Sequence, residues 1–192
     1  LFISCKSENH PIFFGGKILN KSADKIILNK DDDILNESSI DENGFFQMKL
    51  DSISPGLYNL FLQAEFEFVI LEKYDSIYIR LNSLDFDESL VFMGNGASKN
   101  NFLMDVFLNF EKNEDILNKS FNESFEEYLK EVDSFLVVQQ KKFIQFKSKV
   151  KISSFAEKLI NNALLYPYME KIQSFILRRN ISDKLWLSLI HI

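Results

Sequence analysis

Three consecutive carboxylates, Asp31, Asp32 and Asp33, are the residues with the clearest metal-binding chemistry, and Asn36 and Glu37 follow closely. Carboxylate and amide oxygens are the ligands that Ca²⁺ prefers. Their spacing, however, fits no EF-hand loop, and the glycine needed at the sharp turn of such a loop is missing. We therefore interpret the run as a solvated acidic turn. The sequence predicts no metal site and no cofactor.

The single cysteine, Cys5, stands near the start of a chain that begins at Leu1 rather than at Met. Apolar residues and then Ser4 precede it, and the polar residues 6–9 follow it. This order resembles the end of a lipoprotein signal, in which the cysteine becomes the lipidated first residue. The alternative is a buried or incidental thiol. We favour lipidation, so Cys5 is the predicted lipid attachment site and residues 1–9 the predicted signal remnant and tether.

Other reactive side chains are isolated. His10 has no cysteine or second histidine nearby, which favours a surface residue over a ligand. Tyr166 and Tyr168 flank Pro167 and could form an aromatic platform, but we favour a proline-broken helix whose tyrosines pack in the core. One cysteine also excludes an internal disulfide. The sequence predicts no catalytic residue.

Length and charge narrow the class of protein. The chain has 192 residues, enough for one large domain or two small ones, and 46% of them are hydrophobic. The net charge of −6 argues against nucleic acid as a partner. Residues 1–96 carry 8 basic and 16 acidic side chains, and residues 97–192 carry 14 and 12. The first part is therefore acidic and the second slightly basic.

Residues 10–96 have the pattern of a β domain. Short apolar runs are separated by turn signals every eight to twelve residues, which predicts an antiparallel β-sandwich or open barrel. Asn43-Gly44 predicts a hairpin turn and Pro55-Gly56 a second turn. In the run 65–70, Phe66, Phe68 and Ile70 alternate with Glu65, Glu67 and Val69, which predicts a half-buried strand.

Apolar spacing changes at residues 94–103, and residues 97–186 have helical periodicity. We predict an antiparallel helical segment whose first helix covers 98–110. Ser120 and Glu123 form a capping-box pattern that predicts one long helix over 121–150. Ser154 and Glu157 predict the next cap, and Pro167 should break or kink the helix that follows. A last short helix should then end near Arg178 and Arg179. The fold class is thus α+β.

Residues 187–192, Leu-Ser-Leu-Ile-His-Ile, resemble the translation of a transposon-end sequencing adapter. We predict that they contribute nothing to the fold. The alternative is a genuine apolar tail.

Three stretches carry a resemblance to a known family: residues 55–58, residues 75–79 and above all residues 92–103, which read FMGNGASKNNFL. Together they are similar to the N-terminal region of lipid-anchored thiol-disulfide oxidoreductases of the TlpA/ResA-like thioredoxin family. That region is a β-rich domain of unknown function followed by a helical segment. The resemblance covers most of residues 11–180. Tyr74 stands where the family often has glycine.

This resemblance implies a non-catalytic accessory region of a bacterial cell-envelope protein, lipid-anchored and periplasmic or associated with the outer membrane. Its catalytic partner would be a C-terminal thioredoxin domain, which is missing from these residues together with the Cys-x-x-Cys that does the chemistry. The alternative is a stand-alone envelope lipoprotein that binds a glycan or a peptide with its acidic β domain. A Trp-Cys-x-x-Cys codon pattern downstream of Trp186 would support the first reading, and an early stop codon the second.

Overall fold

The computed structural model describes residues 12–31, 33–51 and 53–179 of the chain. Eight strands come first and the long helices follow. The chain divides into two compact units, Leu1–Met104 and Asp105–Ile192, which we call the β unit and the helical unit. The division lies inside a helix, a little beyond the boundary predicted at residue 96.

The strands of the β unit form two four-stranded sheets. In chain order they are β1 (Ile12–Leu19), β2 (Lys25–Lys30), β3 (Asp33–Ser39), β4 (Phe45–Leu50), β5 (Gly56–Leu62), β6 (Glu65–Leu71), β7 (Ser76–Asn82) and β8 (Val91–Asn95). Sheet A has the order β4-β1-β7-β8, and sheet B has the order β3-β2-β5-β6. All pairs are antiparallel except β1 with β7. The predicted α+β class, with antiparallel sheets ahead of helices, is confirmed.

The core of the β unit lies between the sheets. Alternate residues point inward from each strand, as period-two side-chain geometry requires. Phe14 and Ile79 of sheet A and Leu28 and Leu60 of sheet B are fully buried in one apolar cluster. A short helix, α1 (Phe86–Ser89), adds Phe86 to that cluster before β8 begins.

Three predictions for the β unit need correction. Asn43-Gly44 does form a turn, in which Gly44 N donates to Asp41 O, but no hairpin results. The strands on either side, β3 and β4, belong to different sheets. The strand β3, which follows the predicted acidic turn, was not predicted. In β6 Ile70 is buried as expected, but Glu67, Val69 and Leu71 on the other side are buried too, and Phe66 is exposed.

The first long helix, α2 (Ala97–Lys119), is longer than the predicted 98–110. The helix ends at Lys119. The next residue, Ser120, donates from its hydroxyl to Ile116 O in the last turn, at 3.0 Å. Residues Ser120–Asn122 then form a single 3-10 turn. Ser120 is therefore the end of one helix rather than the predicted cap of the next.

The second long helix, α3 (Phe125–Lys149), is uninterrupted as predicted but starts at a different cap. Ser124 Oγ accepts from Glu127 N at 3.3 Å, and the Glu127 carboxylate accepts from Ser124 N at 3.1 Å. Its buried residues, Tyr128, Val132, Gln139 and Phe143, recur at intervals of four or seven positions and so share one face of the helix.

The third long helix, α4 (Ser154–Arg178), runs without a break through Pro167. The predicted break is wrong, and the cap is Ser153, whose Oγ accepts from Ala156 N at 2.9 Å. Proline has no N–H for the carbonyl of Ala163, so one helical hydrogen bond is missing. Buried residues on both sides of the proline, Ile160 and Leu164 before it and Phe175 after it, offset that loss.

Aromatic rings make the core of the helical unit. The Tyr128 and Phe175 rings stack with centroids 4.4 Å apart, and Phe121 stacks on Tyr128 at 5.3 Å. Phe110 of α2 meets Tyr168 of α4 edge to face at 5.2 Å. Arg179 closes the end by donating to Phe121 O and Glu123 O. Among the described helices, none combines the length and the low polarity needed to cross a bilayer.

Candidate functional site

The segment 94–103, where the apolar spacing changes, connects β8 to α2. Gly96 has φ +91°, and a Cβ added there would lie 2.4 Å from Asp75 Oδ1. Only glycine tolerates both the positive φ and this close approach. The backbone can therefore turn from β8 into α2 directly against the loop before β7.

A buried ion cluster fixes this turn. Lys99 Nζ lies 2.7 Å from Asp75 Oδ2 and 2.8 Å from Glu72 Oε2. Asp75 Oδ2 also accepts from Glu72 N at 2.8 Å. Burial raises the pKa of Asp75, and the Lys99 ammonium opposes that shift. All three charged groups have partners inside the cluster, which connects the loop before β7 to the start of α2.

Asn100 and Asn101, the next two residues, each bind one sheet edge. Asn100 Oδ1 accepts from Ile70 N at 2.7 Å, and its Nδ2 donates to Ile70 O at 3.0 Å. Asn101 does the same to Phe92, at 2.9 Å and 2.8 Å. β6 is an edge of sheet B and β8 is an edge of sheet A. The two amides thus replace missing neighbouring strands and join both sheets to α2.

The candidate binding site lies instead on the outer face of sheet A, where twelve side-chain positions form three rows. The rows are Lys49–Phe13–Ser76–Asn95, Gln47–Gly15–Tyr78–Met93 and Phe45–Lys17–Arg80–Val91. We call these positions the sheet A face. They include three cations and no carboxylate, although the chain as a whole carries a net charge of −6.

Aromatic rings form the centre of the sheet A face. Gly15 stands opposite both Gln47 and Tyr78, and a Cβ added there would lie 3.1 Å from Phe13 Cζ. The Phe13 ring therefore lies over Gly15, in a space that a side chain at residue 15 would fill. Lys17 Nζ is 4.8 Å from the centroid of the Phe45 ring, a cation–π geometry.

A shallow cleft of about 490 Å³ opens at the β4 edge of this face. Rings of Phe13, Phe45 and Tyr78 line it together with polar groups of Ser38, Ser39, Asp41 and Gln47. Ser38 Oγ donates to Gln47 O at 2.9 Å, and Asp41 Oδ1 accepts from Phe45 N at 2.8 Å. Such a combination of apolar walls and a few fixed polar groups is typical of small-ligand sites.

The residues predicted from sequence have different outcomes. Cys5 and His10 lie outside the described residues. Asp31 and Asp33 flank the turn between β2 and β3, and no group of three or more metal-binding side chains occurs in the described part of the chain. Tyr168 packs in the core as predicted, but Tyr166 is 62% exposed. The two tyrosines are two residues apart on a helix, so they point in different directions.

The sheet A face was missed because its residues come from four strands that are far apart in the sequence. A signal was present: polar or aromatic residues alternate with buried ones in β1, β4 and β7. The neighbours of each strand, however, cannot be read from that alternation. The parallel pairing of β1 with β7 brings Lys17 beside Arg80.

Comparison with protein-family models, with curated proteins and with solved structures gives no match to this chain.

Proposed function

We propose that this chain is a non-catalytic binding module, and that the sheet A face holds its ligand. The observation that carries the proposal is the concentration of three rings, three cations and several uncharged polar groups on one face of an otherwise acidic β unit. Phe45 is exposed and Phe13 and Tyr78 are half-buried, and rings grouped with charged and polar side chains on one surface favour recognition of a partner.

Position on the fold supports this use. Strands give a rigid frame, so the backbone positions on β1, β4 and β7 keep their spacing when a ligand binds. The buried ion cluster around Lys99 and the edge contacts of Asn100 and Asn101 use their polar groups internally. The sheet A face differs from these residues in that it offers aromatic and charged side chains at the surface.

Ligand mapping by NMR tests this proposal. The ¹⁵N-labelled chain is titrated with a panel of neutral and charged oligosaccharides and short peptides, and backbone shifts are followed. We expect at least one probe to move signals of Gly15, Gln47 and Tyr78. Gln47→Ala should weaken that binding, whereas Gln145→Ala on the exposed surface of α3 should leave it unchanged. Shifts confined to the helical unit, or none with any probe, would overturn the proposal.

We also propose a biological setting: the accessory region of a lipid-anchored, thioredoxin-like thiol-disulfide oxidoreductase of the cell envelope. The resemblance of residues 92–103 supports it. The module would then position the catalytic domain or bind its partner, and a stand-alone binding lipoprotein is the alternative. A Trp-Cys-x-x-Cys codon pattern in the gene downstream of Trp186 is expected if the setting is right. An early stop codon would favour the alternative.

A further inference from the structure

Lys17 and Arg80 form a pair of neighbouring cations on the sheet A face. They are directly opposite in the parallel register of β1 and β7, so their Cα atoms are about 4.8 Å apart. Neither makes an ion pair with a described residue, and every described lysine–carboxylate bridge lies elsewhere. Two adjacent like charges repel, and a bound anion between them would relieve that repulsion.

Tyr78 precedes Arg80 by two residues in β7 and so lies in the neighbouring row of the sheet A face. Its ring is half-buried. Its neighbour across β1 is Gly15, over which the Phe13 ring lies. Two rings therefore adjoin the cation pair. Gln47 and Ser76 lie in the adjoining rows, with an amide and a hydroxyl that can both donate and accept hydrogen bonds. Asn95 Nδ2 donates to Tyr74 O at 2.6 Å, so Asn95 offers a ligand its amide oxygen.

We propose that the sheet A face binds a segment of an acidic polysaccharide, a proposal that rests on the binding role assigned to this face above. Arg80 and Lys17 hold a carboxylate or sulfate, for which the guanidinium fork is well shaped. The rings of Tyr78 and Phe13 contact the apolar C–H faces of sugars. Gln47, Ser76 and Asn95 bond sugar hydroxyls. The three rows extend over roughly 13 Å, at 3.3 Å per residue along a strand.

The edges of sheet A disfavour an acidic peptide as the ligand. An extended peptide gains affinity mainly by adding a strand to a free edge. On β4, Ser38 and Asp41 already bind the outward polar groups of Gln47 and Phe45. On β8, Asn101 occupies both polar groups of Phe92. A peptide would have to lie over side chains with its backbone unpaired, whereas a polysaccharide has no backbone amides that need partners.

One carboxylate, Asp41, lines the cleft beside Phe45. Its Oδ1 accepts from Asn43 N and Phe45 N, both at 2.8 Å. These two donors partly satisfy its charge, so Asp41 weakens anion binding less than a free carboxylate would. The cation pair lies on β1 and β7, towards the middle of the sheet, whereas β4 and its cleft lie at one edge.

Three dextrans that share one backbone test the inference: neutral dextran, carboxymethyl-dextran and dextran sulfate. Each is titrated into the full chain by calorimetry and by NMR, with poly-glutamate as the peptide probe. We expect at least one acidic dextran to bind ten-fold or more tightly than neutral dextran, with shifts at Gly15 and Tyr78. Higher salt should weaken it, because the interaction is between exposed charges.

Lys17→Gln and Arg80→Gln should each weaken the acidic dextran five-fold or more. Lys141→Gln, the same change on the exposed surface of α3, is the matched control and should have no effect. Equal binding of all three dextrans at the sheet A face would overturn this inference and leave the binding role intact. If poly-glutamate binds more tightly than every dextran, the inference of a polysaccharide ligand is wrong and an acidic peptide is the better ligand class. Binding by no probe, or an equal loss with Lys141→Gln, would overturn the inference as well.

Discussion

Asn100 provides the sharpest test of how the β unit is held together. Its side chain is fully buried and satisfies both the N–H and the C=O of Ile70 on the edge of sheet B. Asn100→Ala removes the amide and leaves those two backbone groups buried without partners. Each such group costs about 1–3 kcal/mol, so the free energy of unfolding should fall by about 2–6 kcal/mol.

Asn101→Ala is the natural control. Asn101 makes the same pair of bonds to Phe92 but is only partly buried, so water can replace the lost amide. We expect a loss of about 1 kcal/mol, within the usual net value of hydrogen bonds. Chemical denaturation measures both losses. Amide hydrogen exchange should show faster opening at Ile70 in the first variant and at Phe92 in the second.

Equal losses in the two variants would contradict this reasoning, since burial is what distinguishes them. A loss below about 1 kcal/mol for Asn100→Ala, with unchanged exchange at Ile70, would show that the edge of β6 does not depend on α2. In that case the asparagine contacts would contribute little to the stability of the β unit. The structural role of the segment 94–103 would then have to rest on other contacts.

Three further predictions concern single residues. Burial raises the pKa of Tyr128 to about 12, so its stabilising effect is complete below pH 10 and is lost as the pH rises towards 12. Tyr128→Phe should reduce the fall in unfolding free energy over that window by about 2 kcal/mol. A variant whose pH profile is identical to that of the unchanged protein would refute this. Pro167→Ala should stabilise α4 by about 1–3 kcal/mol in thermal or chemical unfolding, since it restores a helical N–H, and a loss of stability would show that the ring itself packs favourably. Cys5→Ala should abolish metabolic labelling with a lipid precursor in the full-length protein, and equal labelling of both proteins would exclude lipidation at Cys5.

Local patterns predicted most elements but not their neighbours. Alternation located β6 but not β3, and the turn at Asn43-Gly44 was correctly placed. A turn does not, however, say whether the next strand pairs with the previous one or crosses to the other sheet. Here β3 belongs to sheet B and β4 to sheet A, and the hairpin prediction is wrong for that reason.

The start of α3 was predicted wrongly because two capping-box patterns lie close together in the sequence. Ser120 with Glu123 and Ser124 with Glu127 are equally good capping boxes, and only the second is used. At Pro167 the proline favours a break, but the packing of buried residues before and after it keeps α4 continuous. The sheet A face could not be predicted at all, because it depends on strand order. No pattern within β1 or β7 shows that the two strands are neighbours.

The central pairing of β1 with β7 also sets an order of assembly. Every strand of sheet B lies between these two strands in the chain, within the loop that their pairing closes. Closing so long a loop is entropically costly, so non-local pairs of this kind form late. During synthesis β2, β3, β5 and β6 can pair as soon as residue 71 has emerged, while β1 has only β4 beside it. We therefore expect sheet B to form before sheet A is complete, with β1 among the last of these strands to be enclosed.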